Sequence, residues 1–312
     1  MMSSYLQALT ARLADGLARL PETERAPHVA YVLGQQNPDG GFRGRDGVSD
    51  LYYTAFALRS LAVLDALTPA IAERTAAFLR LCLAKQTSVV DFFSFLYSCL
   101  LVQLCGGPDV LAGSATDWPE RVAATLETFR TADGGYAKAT GSVSGSTYHT
   151  FLVGLCYQLL GRSLPRPAEV ASFLNTRRRD DGGFVELAPM KRSGTNPTAA
   201  AIGVLQLLDS DGGAVLTDDI RRGVVALLAE LPAEEGGLRA NGRIPAADLL
   251  STFTGLWTLA QLDGLGRIDT AAARQYARRL QAANGGFRGN AWDECTDVEY
   301  TFYGLGLLAL LA

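Results

Sequence analysis

The 312-residue sequence has no marked excess of either charge. Its 28 lysines and arginines stand against 32 aspartates and glutamates, a net −4 at pH 7. Such a balance argues against nucleic acid or a strongly anionic membrane surface as partner. No stretch approaches the roughly 18 apolar residues of a membrane helix. The longest apolar region, Phe92 to Leu104, is interrupted by Ser94, Ser98 and Gln103 and reads as a buried helix. Residues 1–25 carry Arg12, Asp15, Arg19, Glu22 and Glu24 among apolar positions, the pattern of an amphipathic helix and not of a signal peptide. Cysteine is scarce and odd in number (Cys82, Cys99, Cys105, Cys156, Cys295). A disulfide framework usually shows an even set in a short secreted chain. These cysteines therefore read as small buried hydrophobes, and the expected location is the cytoplasm.

What the sequence does have is apolar material, 48% of its residues, and an internal repeat. Length alone would allow two domains; the repeat argues for one, residues 1–312, with a short N-terminal helix over 1–25. A loop signature returns five times: Asp39-Gly40-Gly41-Phe42, Asp133-Gly134-Gly135-Tyr136, Asp181-Gly182-Gly183-Phe184, Glu235-Gly236-Gly237-Leu238 and Asn284-Gly285-Gly286-Phe287. About ten polar residues later a threonine opens an apolar run, at Thr54, Thr150, Thr198, Thr252 and Thr301. A degenerate unit without the glycines opens at Ser94. Each unit holds a first, amphipathic helix such as Pro167 to Arg178, the glycine turn, and a second helix that is apolar nearly all round. A helix apolar on every side must be buried. The second helices are therefore expected to form an inner layer and the first helices an outer one. About six hairpins would close into an all-α ring, an α/α toroid; an open solenoid is the competing architecture.

The Asp-Gly-Gly-Phe loop and the Tyr-Thr or His-Thr helix opening resemble the repeat of the prenyltransferase and squalene-cyclase superfamily. The resemblance covers essentially the whole chain and implies the toroid fold. The protein prenyltransferase β-subunit is the closer branch, because Gly40-Gly41-Phe42-Arg43-Gly44-Arg45 followed by Asp50-Leu51-Tyr52-Tyr53 is similar to its active-site repeat. By that resemblance Arg45 and Tyr53 would bind diphosphate and Asp50 would be a zinc ligand. Tyr52, however, stands at the place of the zinc cysteine and Phe93 at that of the zinc histidine. Zinc binds thiolate strongly and a phenol poorly, so the family's three-ligand zinc site is expected to be broken, and no cofactor is assigned. The acidic Asp-x-Asp-Asp string of class II cyclases is not found.

All second helices begin at one end of a toroid, so the residues at their starts should share a rim. Lys138, Tyr148, His149, Lys191 and Arg192 would make a basic arc, and Asp50, Asp248, Asp297 and Glu299 an acidic one, with Arg45 and Tyr52 beside it. Helix N-termini favour anions, and Lys191-Arg192 is the best anion-binding candidate. The alternative is an ordinary solvated loop. His149 is one of only two histidines and is either a diphosphate donor or acid/base, or a histidine hydrogen-bonded inside the ring; His28 reads as structural. Asp50, Asp297 and Glu299 could converge on a divalent metal, against the alternative of helix capping by the two aspartates. Tyr148, His149, Asp50 and Asp297 are thus the catalytic candidates. Arg45, Tyr52, Tyr53, Lys138, Lys191, Arg192 and Glu299 are the binding candidates. Three functions are consistent with this: an isoprenoid-diphosphate enzyme of the β-subunit type, a non-catalytic toroid binding an isoprenoid, lipid or protein, and a cyclase with an unusual acid. The resemblance also implies a separate helical α-subunit as partner.

Overall fold

Each glycine of the repeated pair has its own reason. The first (Gly40, Gly134, Gly182, Gly236, Gly285) adopts φ between 88° and 96°, a region that side chains with a Cβ avoid. At Gly41, Gly135, Gly183 and Gly286 the second has ordinary φ but no room. An added Cβ would lie 2.4 Å from Phe173 at Gly135, 2.2 Å from Leu227 at Gly183 and 2.6 Å from Tyr31 at Gly286. In each case the obstructing side chain belongs to the first helix of another hairpin, so the loops are where neighbouring repeats meet.

The computed structural model describes residues 4–83 and 86–312. Among them the chain is mainly helical. After α1 (Tyr5–Ala18), twelve helices fall into six consecutive pairs: α2 (Glu22–Leu33) with α3 (Leu51–Val63), α4 (Pro69–Leu81) with α5 (Val89–Leu104), α6 (Trp118–Glu127) with α7 (Thr147–Leu159), α8 (Pro167–Arg177) with α9 (Thr195–Ser210), α10 (Asp218–Ala229) with α11 (Leu249–Gln261), and α12 (Thr270–Leu280) with α13 (Val298–Leu310). The 1–25 stretch is not one helix. It ends at Ala18, and Pro21, which continues no preceding helix, caps the start of α2.

The apolar helices also begin three residues before their threonines. Asp50, Ser146, Asp248 and Asp297 are N-caps whose side chains accept backbone N–H groups. The threonine one turn in has a different task. Its hydroxyl accepts from the backbone N–H just after the glycine pair: Phe42 to Thr54 at 2.9 Å, Tyr136 to Thr150 at 2.9 Å, Phe184 to Thr198 at 3.0 Å, Leu238 to Thr252 at 2.9 Å and Phe287 to Thr301 at 3.1 Å. All five threonines are fully buried. A buried N–H left without a partner is costly, and this bond ties each loop to the helix that follows it.

Contacts divide the chain into two compact units. One comprises mainly Thr116–Ala273 and the other mainly Leu6–Thr87, Asp91–Ala115 and Arg274–Ala312. In the first, α7, α9 and α11 pack side by side. In the second, α13 packs on α3 and also on α1, where Gly16 meets the Ala309 backbone so closely that a Cβ would overlap it. Two-residue strands β1 (Phe287–Arg288) and β2 (Thr296–Asp297) pair antiparallel within the last loop. His28 is buried, stacks on Phe287 and bonds the Gly285 carbonyl through Nδ1 at 2.6 Å. Cys82, Cys99 and Cys156 are buried, Cys105 is half-buried and Cys295 exposed, with no disulfide among the described residues. Among those residues no helix is long and apolar enough to cross a membrane.

Candidate functional site

In the Thr116–Ala273 unit, the loop after each glycine pair bonds to the start of the preceding apolar helix. Thr147 Oγ1 donates to the Val185 carbonyl at 2.7 Å and its N–H to that of Glu186 at 3.2 Å. This pairing sets the Glu186 side chain against the first turn of α7. Ser146, the N-cap, donates its hydroxyl to Glu186 Oε1. Its oxygen also meets the His149 N–H at 3.1 Å and His149 Nδ1 at 2.7 Å. The Tyr148 N–H donates to Glu186 Oε2 at 3.3 Å. Ser146 is buried, His149 and Glu186 are half-buried, and Tyr148 is exposed with its ring edge toward His149.

Burial, followed by the nearby Lys138 charge, lowers the His149 pKa to about 4. The imidazole is therefore neutral at pH 7. Burial raises Glu186 above the usual carboxylate range, although hydrogen bonds from Ser146 and Tyr148 and the Arg177 charge oppose it. Lys138, Lys191 and Arg192 are exposed on the loops leading into α7 and α9. Among the described residues none of the three has an ion-pair partner. The Lys191-Arg192 loop is itself held by Arg179, which donates to the carbonyls of Ala188 and Met190. The cation whose field reaches His149 is Lys138, although Lys191-Arg192 was the pair expected to bind an anion.

In the other unit the expected acidic arc has other work. Asp50 is exposed and caps α3, accepting from the N–H groups of Tyr52 at 2.8 Å and Tyr53 at 3.2 Å. Asp297 is buried, caps α13 through the Tyr300 N–H at 2.8 Å and lies 3.4 Å from Arg45 Nε. Arg45 also pairs with Asp293, so two carboxylates already hold the arginine expected to bind diphosphate. Tyr52 donates to Glu299 Oε1 at 2.7 Å, and Tyr303 to the same oxygen at 3.3 Å. Burial raises the pKa of both Asp297 and Glu299. Tyr53 packs its ring over Gly44, where a Cβ would lie 2.6 Å away.

The carboxylates weighed as a divalent-metal set therefore do not converge on an ion. Among the described residues no group of three or more His, Cys, Asp or Glu is arranged to hold one. The zinc positions do not fit either. Asp50 is committed to capping, Tyr52 offers a phenol already bonded to Glu299, and Phe93 is a buried ring 5.7 Å from Tyr97.

Several residues of consequence were absent from the expected set. Arg59, midway along α3, lies over three rings, at 3.9 Å from Phe302, 4.9 Å from Phe56 and 5.6 Å from Tyr97. Those faces are the kind that would steady a carbocation, and a resident guanidinium already occupies them. Ser146 was not singled out from the sequence. Glu186 did have a signal: it stands two residues after Phe184, as Lys138 stands two after Tyr136.

The sequence pattern that defines the prenyltransferase α/α toroid domain matches residues 2–94 and 201–312, more than half of the chain. No curated protein sequence matches significantly. Among solved structures, the Candida albicans protein geranylgeranyltransferase-I complexed with GGPP is similar over 99% of this chain and 92% of its own, with a TM-score of 0.66 and 14% identity. The type II terpene cyclase MstE from Scytonema, in complex with geranylgeranyl dihydroxybenzoate, is similar over 96% of this chain and 97% of its own, with a TM-score of 0.62 and 14% identity. A protein from Actinoplanes gives a TM-score of 0.60 at 16% identity, over 92% of this chain and 98% of its own. At such identities the likeness speaks for the fold. With five glycine-pair loops, six helix pairs and the domain pattern in agreement, this chain belongs to the prenyltransferase α/α toroid family.

Proposed function

We propose that this protein binds an isoprenoid diphosphate and transfers its prenyl group, with the diphosphate held in the Thr116–Ala273 unit. The observation that carries the reading is the contrast between its two sets of cations. Arg45 is neutralised by Asp293 and Asp297, whereas among the described residues Lys138, Lys191 and Arg192 have no carboxylate partner. They sit on the loops that enter α7 and α9, whose first N–H groups add a favourable field for an anion. The tail would lie among apolar residues of the second helices. Departure of diphosphate builds negative charge, and donors aimed at it lower the barrier. Lys138, Lys191, Arg192 and the Tyr148 hydroxyl are assigned that role. His149, neutral at pH 7, is assigned to proton transfer and not to charge neutralisation.

A cyclase reading is less favoured because Arg59 fills the aromatic faces that a carbocation would need. Two double variants test the proposal. Lys191→Ala with Arg192→Ala should weaken binding of geranylgeranyl diphosphate by about tenfold or more, equivalent to ~1.4 kcal/mol. Arg221→Ala with Arg222→Ala, on the amphipathic α10, should leave it unchanged. Equal affinity in the two double variants would defeat the assignment.

A further inference from the structure

We infer that Glu186, Ser146 and His149 form a proton relay serving an acceptor whose nucleophilic oxygen carries a proton, an alcohol or a phenol. The inference rests on the proposed prenyl transfer and adds the acceptor class and two residues to it.

The Ser146 hydroxyl has one hydrogen to donate. It can go to Glu186 or to His149 Nδ1, and the structure directs it to Glu186 Oε1. The serine oxygen then has two lone pairs for the His149 N–H at 3.1 Å and for Nδ1 at 2.7 Å. An acceptor at that distance requires the imidazole hydrogen to sit on Nδ1. In the neutral ring Nε2 is left as a bare lone pair, and among the described residues no protein group bonds it. That nitrogen is a base held in one tautomer, and its orientation is set from behind by Ser146.

The neighbouring charges agree with a relay and not with a storage site. Lys138 bears on His149 and disfavours an imidazolium, while Arg177 is the charge that bears on Glu186. A proton reaching Nε2 therefore gains by moving on. In the transfer, the acceptor O–H bond breaks and its proton goes to Nε2. The Nδ1 hydrogen passes to Ser146, and the serine hydrogen passes to Glu186. The acceptor oxygen forms its bond to the prenyl C1 as the bond from C1 to the diphosphate oxygen breaks. Diphosphate leaves with that electron pair, and the proton ends on Glu186. An acceptor already ionised at neutral pH would have no use for this chain, which is why an alcohol or phenol is the class it fits.

The tautomer can be read without any substrate. The sequence has two histidines, and loss of signals in His149→Asn assigns them by nitrogen-15 NMR of the uniformly labelled protein. At pH 7 the wild type should show His149 neutral, with hydrogen on Nδ1. In Glu186→Ala the serine hydroxyl is free to donate to Nδ1, and the hydrogen should move to Nε2. Glu186→Gln can still accept from Ser146 through its amide oxygen and should keep the wild-type tautomer. It lacks a terminal base, so it should lower kcat for prenyl transfer to an alcohol or phenol by about 10²-fold or more, with KM for the prenyl diphosphate unchanged. An Nε2–H tautomer or an imidazolium in the wild type overturns the relay, as does a tautomer unmoved in Glu186→Ala or an undiminished kcat in Glu186→Gln. If the tautomers behave as expected but no prenyl diphosphate binds, the transfer reading fails separately.

Discussion

Replacing Thr150 by valine tests the physical reason for the threonine that recurs in five repeats. The two side chains are nearly the same shape, so packing is conserved and only the hydroxyl is lost. Thr150 Oγ1 accepts from the Tyr136 N–H at 2.9 Å and donates to the Ser146 carbonyl at 2.7 Å. That carbonyl keeps the Thr150 N–H at 3.0 Å, so its share of the loss is small. The Tyr136 N–H has no such substitute, and Tyr136 is fully buried. Leaving a buried donor unpaired costs roughly 1–3 kcal/mol, and a central value of about 2 kcal/mol is expected. Thr150→Ser keeps the hydroxyl and loses one methyl group, worth about 0.8 kcal/mol. Urea denaturation followed by circular dichroism should therefore rank wild type above serine and serine above valine. Thr125, exposed on α6, is the control, and its valine variant should stay within about 0.5 kcal/mol of wild type. Valine as stable as wild type at position 150, or serine worse than valine, would refute the account of the repeat.

Two further predictions concern charge. Arg177 is buried at 2% exposure and pairs with Asp133; Asp133→Ala would strand that guanidinium and should cost about 3–5 kcal/mol in the same denaturation assay. Glu299 is pushed above the usual carboxylate range, chiefly by burial. Its folded form therefore binds a proton more readily than the unfolded chain does. The stability it contributes is present at acid pH and is lost as pH rises through the raised pKa. Glu299→Gln keeps an acceptor for Tyr52 and cannot ionise, so its stability relative to wild type should increase as pH rises above the ordinary glutamate range. A flat difference would remove burial as the controlling effect.

The glycine pairs and apolar helices made the architecture legible because each obeys a local rule, a positive φ in one case and all-round burial in the other. The threonines were visible as markers, yet their role was not, since the bond they accept comes from a residue 12 to 14 positions earlier. For the same reason they marked helix starts three residues too late. The site was legible in part. His149 and Lys138 could be placed near each other from repeat alignment, and both fall at the entry to α7. Arg45 was assigned to diphosphate from its motif, while the carboxylate that pairs with it, Asp293, lies 248 residues away in the loop of the last repeat. Arg59 was hidden because a single arginine in an apolar helix gives no sign of which rings surround it. Glu186 and Ser146 needed the pairing of the Val185–Glu186 segment with α7 before their side chains could be brought together.

The central claim is tested most directly by calorimetric titration of the wild-type protein with three ligands: geranylgeranyl diphosphate, inorganic diphosphate and geranylgeraniol. The account predicts saturable binding of one geranylgeranyl diphosphate per chain, tighter by at least about tenfold than either the diphosphate or the alcohol alone, because each of those keeps only one half of the contacts. Absence of binding, or an alcohol that binds as tightly as the diphosphate, would contradict it.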